Sequence, residues 1–174
     1  MLKKLSGRGS TKAFSLVEIL IVILIIAVLL AVALPQLVGS RDAGLDSAAK
    51  TQLNNAYTEL SAKTLITEAS PADNAAAQLA APTIKFVAAT DAGIKDPNSN
   101  ARQVSYLKKG TQGYVIAVAG SGTNCWAIRV SSSAPFMEYL GSKTGATANG
   151  CSANNADGAT GWQPFGFPSE AKSQ

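Results

Sequence analysis

The sequence contains no histidine, only two cysteines and few aromatic or charged residues. Aromatic residues make up 6% of the 174 residues, and Asp, Glu, Lys and Arg together make up 15%. Without histidine, a Ser-His-Asp triad, a Cys-His nucleophile and His-ligated zinc or haem are excluded. Two cysteines are too few for a four-cysteine metal site, and 174 residues are too few for a two-domain cofactor enzyme. We therefore expect a protein that is not an enzyme and that uses no metal or cofactor.

The first 13 residues contain no acidic residue but four basic ones: Lys3, Lys4, Arg8 and Lys12. Since the chain has 15 basic and 11 acidic residues, the part after residue 13 has as many acidic as basic residues. The formal net charge of +4 is therefore due to the N-terminal residues. A cationic flank before an apolar segment is typical of a membrane-targeting signal, and this distribution argues against nucleic-acid binding by overall basicity.

The stretch Phe14–Leu34 is apolar except for Ser15 and Glu18. As a helix, it would rise about 31 Å, which is one hydrocarbon thickness of a bilayer. Three interpretations fit it: a secretory signal peptide with a cleavage site at Ala31-Val32-Ala33, a plain membrane anchor, or a processed leader followed by a helix that serves first as anchor and later as assembly core. The cationic flank places residues 1–13 in the cytoplasm and the chain after Leu34 outside.

The third interpretation has a specific signature, Lys12-Ala13-Phe14-Ser15-Leu16-Val17-Glu18-Ile19-Leu20-Ile21-Val22. It resembles the class III prepilin signature of type IV pilins and pseudopilins. In that family a short basic leader is cut before a Phe, a Glu is the fifth mature residue, and the apolar helix continues to a Pro. The resemblance implies cleavage between Ala13 and Phe14, N-methylation of Phe14 and assembly roles for Glu18 and Pro35. The family usually has Gly before the cut, whereas this chain has the similarly small Ala13.

The resemblance also implies an α+β fold, in which a long N-terminal helix packs on a small antiparallel β-sheet head. We expect a cleaved leader at residues 1–13, a transmembrane and assembly helix at 14–34, a helical spine at 35–69 and a β-rich head at 70–174. The implied partners are other copies of the chain through residues 14–34, a prepilin peptidase and methylase, the pilus assembly machinery in the membrane, and minor pilins. The precursor is expected in the cytoplasmic membrane and the mature protein in an extracellular filament.

Two roles compete for Glu18. Ser15-Leu16-Val17-Glu18 matches a capping box, and the helix dipole favours a carboxylate in the first turn. Alternatively, cleavage creates an ammonium group on Phe14, which in a bundle of apolar helices needs a counter-charge from Glu18 of a neighbouring copy. One polar pair in an apolar interface can set the register between helices. The two roles are compatible, because the first serves the monomer and the second the polymer.

The helix is expected to continue past the membrane segment to about Thr67. Apolar residues recur there at helical spacing: Leu45, Ala49, Leu53, Ala56 and Leu60. Pro35 predicts either a simple kink or a segment that extends when copies pack into a filament. Ser70-Pro71 predicts the start of a second, short helix, with Ser70 as N-cap and Pro71 in the first position.

The head is expected to contain an antiparallel meander. Three β-prone runs separated by Gly, Ser and Asn predict its strands: Gly113–Ala119, Cys125–Ser131 and Pro135–Leu140. Residues 120–124 predict a hairpin loop, and residues 141–161, rich in small and polar residues, predict an exposed loop. The tail aromatics Trp162, Phe165 and Phe167 are expected to cover the sheet, the alternative being an exposed adhesive patch.

Cys125 and Cys151 both lie in the part that is expected outside the cell. An oxidising compartment and an even cysteine count favour a disulfide between them. Closing a loop of about 27 residues would stabilise the head by about 3–4 kcal/mol in the chain-entropy model. The alternative is a pair of buried free thiols.

Other functions share parts of this pattern. A secretion or competence pseudopilin has the same N-terminal features, although secretion pseudopilins often resemble this outline with a calcium-binding loop near the C-terminus. Here Asp157 is the single acidic residue between Glu138 and Glu170, which argues against a calcium cage. A soluble binding module released after Ala33 is the competing class of function.

DNA binding is a further hypothesis. Lys108 and Lys109, with Lys95 and Arg102 nearby in the sequence, would form a small basic patch. The alternative is that these residues are ordinary solvated charges of turns.

Overall fold

A computed structural model describes residues 14–90, 103–143 and 150–173. Its longest element is the helix α1, Leu16–Thr67, which contains Pro35. Two short helices follow, α2 (Asn74–Ala80) and α3 (Ala153–Asp157). The chain divides into two compact units, with the boundary between Gly39 and Ser40. The range of α1 confirms the long helix that the sequence predicts from about Phe14 to about Thr67.

The second unit contains a sheet of six described strands that follow one another in sequence order. They are β1 (Lys85–Ala88), β2 (Gln103–Lys109), β3 (Gly113–Ala119), β4 (Asn124–Val130), β5 (Met137–Lys143) and β6 (Lys172–Ser173). Strands β2 to β5 form an antiparallel meander, whereas β1 pairs parallel with β2 and β6 pairs parallel with β5. The predicted α+β class, with a long N-terminal helix and a mostly antiparallel sheet, is confirmed.

Strand β3 is buried along its whole length, because both faces of the sheet are covered. Tyr114, Ile116 and Val118 belong to the core on the α1 side, and the residues between them belong to the core on the other side. Successive side chains of a strand point to opposite faces. A strand covered on both faces therefore reads as a continuous apolar run, as Gly113–Ala119 does.

The helical side of this core is formed by one face of α1 within the second unit. Ala49, Leu53, Ala56 and Leu60 are all at most 1% exposed. They belong to one cluster with residues of the sheet and with Ala77 of α2. The amphipathic pattern predicted from the spacing of these residues is confirmed.

The opposite face of the sheet is covered by the segment around α3. Ser152 caps α3 by accepting a hydrogen bond from the Asn155 amide at 3.2 Å, and the Ala153 amide donates to Ser105 Oγ on β2 at 2.9 Å. Cys151, Ser152 and Ala153 are buried. The prediction of an exposed loop over residues 141–161 is therefore wrong for much of the segment, because small side chains here pack closely on the sheet. Residues 144–149 of this segment lie outside the described residues.

The predicted start of α2 is also wrong. Asp73, not Ser70, is the N-cap, and its Oδ1 accepts a hydrogen bond from the Ala76 amide at 2.8 Å. The Ser70 hydroxyl instead donates to the carbonyls of Thr111 and Gly113, both at 3.1 Å. Because these bonds tie the chain after α1 to the β2–β3 turn, α2 begins later than the Ser-Pro pair indicates.

Strands β1 and β2 are not among the strands that the sequence pattern predicts. Strand β1 has four residues, and its partner β2 lies beyond residues 91–102, so no local pattern marks their pairing. The predicted loop at residues 120–124 is confirmed: the Gly120 amide donates to the Asn124 carbonyl at 2.9 Å, and the Asn124 amide to the Ser121 carbonyl at 2.8 Å. Strand β3 has its predicted bounds, and β4 is shifted by one residue from the predicted Cys125–Ser131. Strand β5 begins two residues later and ends three residues later than the predicted Pro135–Leu140.

The tail aromatics behave differently from one another. Phe167 packs edge-on against Trp126 and Tyr139, with ring centroids 6.0 and 4.9 Å apart. Trp162 lies half-buried, with the Arg129 guanidinium 4.4 Å from its ring centroid. Phe165 is 92% exposed. The prediction that all three aromatic residues cover the sheet is therefore wrong for Phe165. It lies in the sequence between Trp162 and Phe167, whose rings both contact other side chains.

Candidate functional site

The described part of the first unit presents a largely apolar surface, interrupted by Ser15, Glu18 and Gln36. Every side chain from Phe14 to Leu37 is exposed, and the large apolar ones from Phe14 to Leu34 range from 47% exposed at Val22 to 77% at Phe14. A contiguous exposed apolar surface of this extent marks a contact with lipid or protein. Within the described residues, α1 is the one helix that is long and apolar enough to cross a membrane.

Glu18 lies in the first turn of α1 and is exposed. The Ser15 carbonyl accepts the first hydrogen bonds of the helix, from the amides of Glu18 at 3.0 Å and Ile19 at 3.3 Å. Among the described residues, the Glu18 carboxylate has no hydrogen-bond or ion-pair partner. The side-chain bonds of a capping box are therefore not formed here, and the carboxylate is accessible to a group from outside the chain.

The exposed start of this helix lies within a segment that matches a known family model. Residues 8–34 carry the prokaryotic N-terminal methylation motif. This motif is the class III prepilin leader of type IV pilins and pseudopilins, so the resemblance inferred from the sequence is confirmed. Comparison of the chain with curated proteins and with solved structures gives no match.

The residues predicted to take part in cleavage and assembly are placed as follows. Ala13 lies outside the described residues, and Phe14 lies two residues before the first residue of the helix, with 77% of its surface exposed. Glu18 follows one turn later on the same exposed segment. Pro35 lies inside α1, which is assigned as one helix on both sides of it. Kinking and extension at Pro35 both remain predictions.

In the second unit, Cys125 and Cys151 form a disulfide, with their Cα atoms 5.2 Å apart. Both are at most 2% exposed. The bond joins β4 to the segment that leads into α3, and both cysteines belong to the core on the side of the sheet opposite α1. It therefore holds the α3 segment on the sheet.

Asp46 connects α1 to the β3–β4 hairpin, a contact that sequence reasoning missed. Its Oδ1 accepts a hydrogen bond from the Ser121 amide at 2.6 Å, and its Oδ2 accepts one from Asn124 Nδ2 at 2.8 Å. Gly120 packs so closely here that an added Cβ would lie 2.6 Å from Trp126 Nε1 and would also clash with Asp46 Oδ1. One turn later, Lys50 Nζ lies 3.8 Å from the Trp126 ring centroid.

A groove of about 510 Å³ lies between the C-terminal part of α1 and the strands β3 to β5. We call it the Tyr114 groove. Its aromatic and aliphatic lining residues are Tyr57, Leu65, Tyr114, Val130, Phe136 and Met137. Its polar lining residues are Ser61, Thr64, Glu68, Gln112 and Ser131.

Tyr114 is fully buried, and its hydroxyl has no hydrogen-bond partner among the described residues. Burial raises the pKa of Tyr114 far above its ordinary value, and the nearby hydroxyls of Tyr57 and Tyr106 raise it further. The hydroxyl is therefore protonated at neutral pH, and it is enclosed by the surrounding side chains.

The candidate DNA-binding lysines are only partly placed. Lys109 forms an ion pair with Asp157 at 2.8 Å, and Lys108 is exposed next to it in β2. Lys95 and Arg102 lie outside the described residues. Since Asp157 neutralises one of the two described lysines, the structure adds no support to a basic patch. In the described ranges there is no group of three or more acidic or cysteine side chains that could hold a metal ion.

Proposed function

We propose that the chain is a structural subunit of a type IV pilus-like surface filament. A prepilin peptidase cleaves it between Ala13 and Phe14 and methylates the new Phe14 amine, and the mature chain polymerises through residues 14–34. The observation that carries this proposal is the methylation motif at residues 8–34, whose residues from Leu16 onward form an exposed, largely apolar helix.

The exposed apolar surface explains why the segment needs two environments in succession. Burying one large aliphatic side chain is worth about 1.5–3 kcal/mol, so a helix with many such side chains exposed is stable only in lipid or against other helices. In the precursor, the hydrocarbon core of the cytoplasmic membrane covers residues 14–34, with the leader inside and the second unit outside. In the filament, the same residues of neighbouring copies cover one another.

Glu18 supplies the polar contact in this otherwise apolar assembly. Its exposed carboxylate, free of partners among the described residues, pairs with the Phe14 amine of a neighbouring copy. Because an unpaired charge in an apolar bundle is costly, only the axial register that joins the two groups is favoured. Extension of the helix at Pro35 would let the segment adjust to that register.

The proposed partners are the prepilin peptidase and methylase, the assembly machinery in the membrane, further copies of the chain and minor pilins. Roles of the filament in adhesion, motility or DNA uptake are further proposals. Pseudopilins of secretion and competence systems carry the same motif, so the motif does not separate them from pilus subunits. The filament does: a pilus subunit is expected to form long surface filaments that can be sheared from cells.

The mature N-terminus tests the proposal. Mass spectrometry of the protein from cells with a prepilin peptidase is expected to show a chain that starts at Phe14 with one added methyl group. A chain that starts at Leu34 would instead indicate an ordinary signal peptide, and one that starts at Met1 a plain anchor; either result contradicts the proposal.

Substitution of Ala13 tests the cleavage site directly. Ala13→Leu places a bulky side chain at the cut and is expected to leave uncleaved precursor in the membrane and no filaments. The matched control Ala13→Gly keeps a small residue there and is expected to be processed and assembled. Normal filaments from Ala13→Leu would contradict this cleavage site.

A further inference from the structure

Met137 is the single methionine of the chain after residue 13, because the other of the two methionines is Met1. The remaining sulfur atoms belong to Cys125 and Cys151, which form a disulfide and are at most 2% exposed. A disulfide has no thiolate to react with an oxidant. The chain after residue 13 therefore contains one thioether and no thiol.

Met137 is the first residue of β5 and lines the Tyr114 groove. Its side chain is partly exposed, and the preceding Phe136 is 66% exposed. The groove has a volume of about 510 Å³, so a molecule as small as hydrogen peroxide can enter it. Because the oxidation of methionine follows its exposure, this position gives a small oxidant access to the Met137 side chain.

A hydroxyl lies next to the sulfur of Met137. The Tyr139 hydroxyl donates a hydrogen bond to Met137 Sδ at 3.6 Å. Burial raises the pKa of Tyr139 above its ordinary value, so the hydroxyl stays protonated and able to donate at neutral pH. A thioether is a weak acceptor, whereas a sulfoxide is polar. Oxidation of the sulfur therefore produces a stronger acceptor beside a donor that is already in place.

We propose that Met137 is an oxidation site, at which a hydroperoxide converts the thioether to a sulfoxide whose oxygen accepts the hydrogen bond of Tyr139. The sulfur attacks the terminal oxygen of the hydroperoxide with a lone pair, and the O–O bond breaks as the S–O bond forms. The other oxygen leaves with the hydroxyl proton, as water from hydrogen peroxide or as an alcohol from an organic hydroperoxide. The sulfur is oxidised and the peroxide is reduced, so the step needs no further reagent.

Oxidation at this site changes the packing of the second unit. Met137 and Tyr139 both pack against the core on the α1 side of the sheet. The Tyr139 ring also contacts Phe167 of the C-terminal tail, with ring centroids 4.9 Å apart. A polar sulfoxide disrupts apolar packing of this kind. We therefore expect the oxidised protein to keep its fold but to unfold at a lower temperature.

The experiment uses the full mature protein in a peroxide-free detergent, with hydrogen peroxide as the probe. Peptide mass spectrometry follows the gain of one oxygen atom at Met137, and the same treatment in denaturant gives the rate for a fully accessible side chain. The rate in the folded protein is expected to lie within about threefold of that rate, since the side chain is partly exposed. Complete oxidation is expected to lower the midpoint of thermal unfolding by about 4 °C.

Met137→Leu is the matched control, because it keeps an apolar side chain of similar size without the sulfur. Its thermal midpoint is expected to be the same before and after peroxide treatment. Tyr139→Phe removes only the hydroxyl, so the sulfoxide in this variant lacks its donor. Peroxide is expected to lower the midpoint of Tyr139→Phe by about twice as much as that of the original protein. A hydroxyl with a merely structural role would leave the two losses equal.

Three results would overturn the oxidation site: protection of Met137 by more than about threefold in the folded protein, a midpoint that complete oxidation leaves unchanged, or an equal fall of the midpoint in Met137→Leu. Equal losses in Tyr139→Phe and the original protein would overturn the role of the hydroxyl. If Tyr139→Phe fails to fold, Met137→Leu still decides. The site goes beyond the proposed filament and lies outside residues 14–34, so electron microscopy of filaments from the same variants tests the two proposals separately.

Discussion

At the scale of single residues, Glu18 has the most direct link to assembly. Its carboxylate is exposed at the first turn of an apolar helix, and it forms none of the side-chain bonds of a capping box within the described chain. Near lipid head groups, water and the helix dipole reduce the cost of its charge. In the core of the proposed filament this water would be absent, so the carboxylate would need the Phe14 amine of a neighbouring copy.

We expect Glu18→Ala to be inserted in the membrane and cleaved normally but to form few or no filaments. Removing one member of a buried ion pair strands the other at a cost of about 3–5 kcal/mol, and this cost recurs at every subunit. Glu18→Asp is expected to be intermediate, since the charge is kept and the reach is shorter. Electron microscopy of filaments sheared from cells measures the effect.

The control for Glu18 is Ser15→Ala, which removes the other side chain of the capping box. Because the side-chain bonds of the capping box are not formed, it is expected to change helix stability by less than about 0.5 kcal/mol and to leave filaments abundant. Abundant filaments from Glu18→Ala would instead show that the intermolecular pair is dispensable, and a capping role at the helix start would then remain.

Asp46 is the second residue with a specific predicted effect. Asp46→Ala leaves the Ser121 amide and the Asn124 side chain without their acceptor, and we expect the free energy of unfolding to fall by about 1–3 kcal/mol. Denaturation of the mature protein in detergent, followed by the fluorescence of buried Trp126, measures it. The control Asp42→Ala alters an exposed carboxylate one turn earlier and is expected to change stability by less than about 0.5 kcal/mol. Equal effects of the two substitutions would contradict the role of Asp46.

At the scale of elements, the disulfide connects a strand to a helix that has little stability of its own. Helix α3 has five residues, too few to be stable in isolation. It is held by its Ser152 cap, by the Ala153–Ser105 hydrogen bond and by the bond from Cys125 to Cys151. This face of the sheet therefore depends on a covalent link more than the α1 face does.

Replacing both cysteines with alanine is expected to lower the free energy of unfolding of the head by about 3–4 kcal/mol while α1 remains helical. Without the bond, the unfolded chain has more conformational entropy, because the two cysteines, 26 residues apart, are no longer held together. Denaturation followed by Trp fluorescence measures the loss, and far-ultraviolet circular dichroism measures the helix. Ready labelling of both thiols in the native, unreduced protein would contradict the disulfide.

At the scale of the whole molecule, the proposed cleavage would change the electrostatics of the chain. It would remove the four basic residues of the first 13, and the remaining chain has equal numbers of acidic and basic side chains. A chain without net charge has little long-range repulsion between copies, which favours close packing in a filament.

We therefore expect isoelectric focusing to show a clear fall in isoelectric point, from basic in the precursor to near neutral in the mature protein. The Ala13→Leu variant serves as the control, because it is expected to keep the basic value of the precursor. A basic isoelectric point for protein taken from filaments would show that the leader is retained.

The sequence alone determined the features that depend on local order and spacing. The prepilin motif, the apolar run and the face formed by Ala49, Leu53, Ala56 and Leu60 are all readable because a helix repeats its contacts every three to four residues. The run Gly113–Ala119 likewise predicted its strand residue for residue. For these elements, neighbours in the chain provide most of the information.

The tertiary structure alone decided which distant residues meet. The parallel pairing of β1 with β2, the burial of Cys151 to Ala153, the acceptor role of Asp46 toward the β3–β4 hairpin and the Tyr114 groove all join segments far apart in sequence. Small and polar residues are compatible with either a loop or a packed surface, and only the contacts made on folding choose between these states. For the same reason, Phe165 and Phe167 have similar local sequences, yet the first is exposed and the second packs on Trp126 and Tyr139.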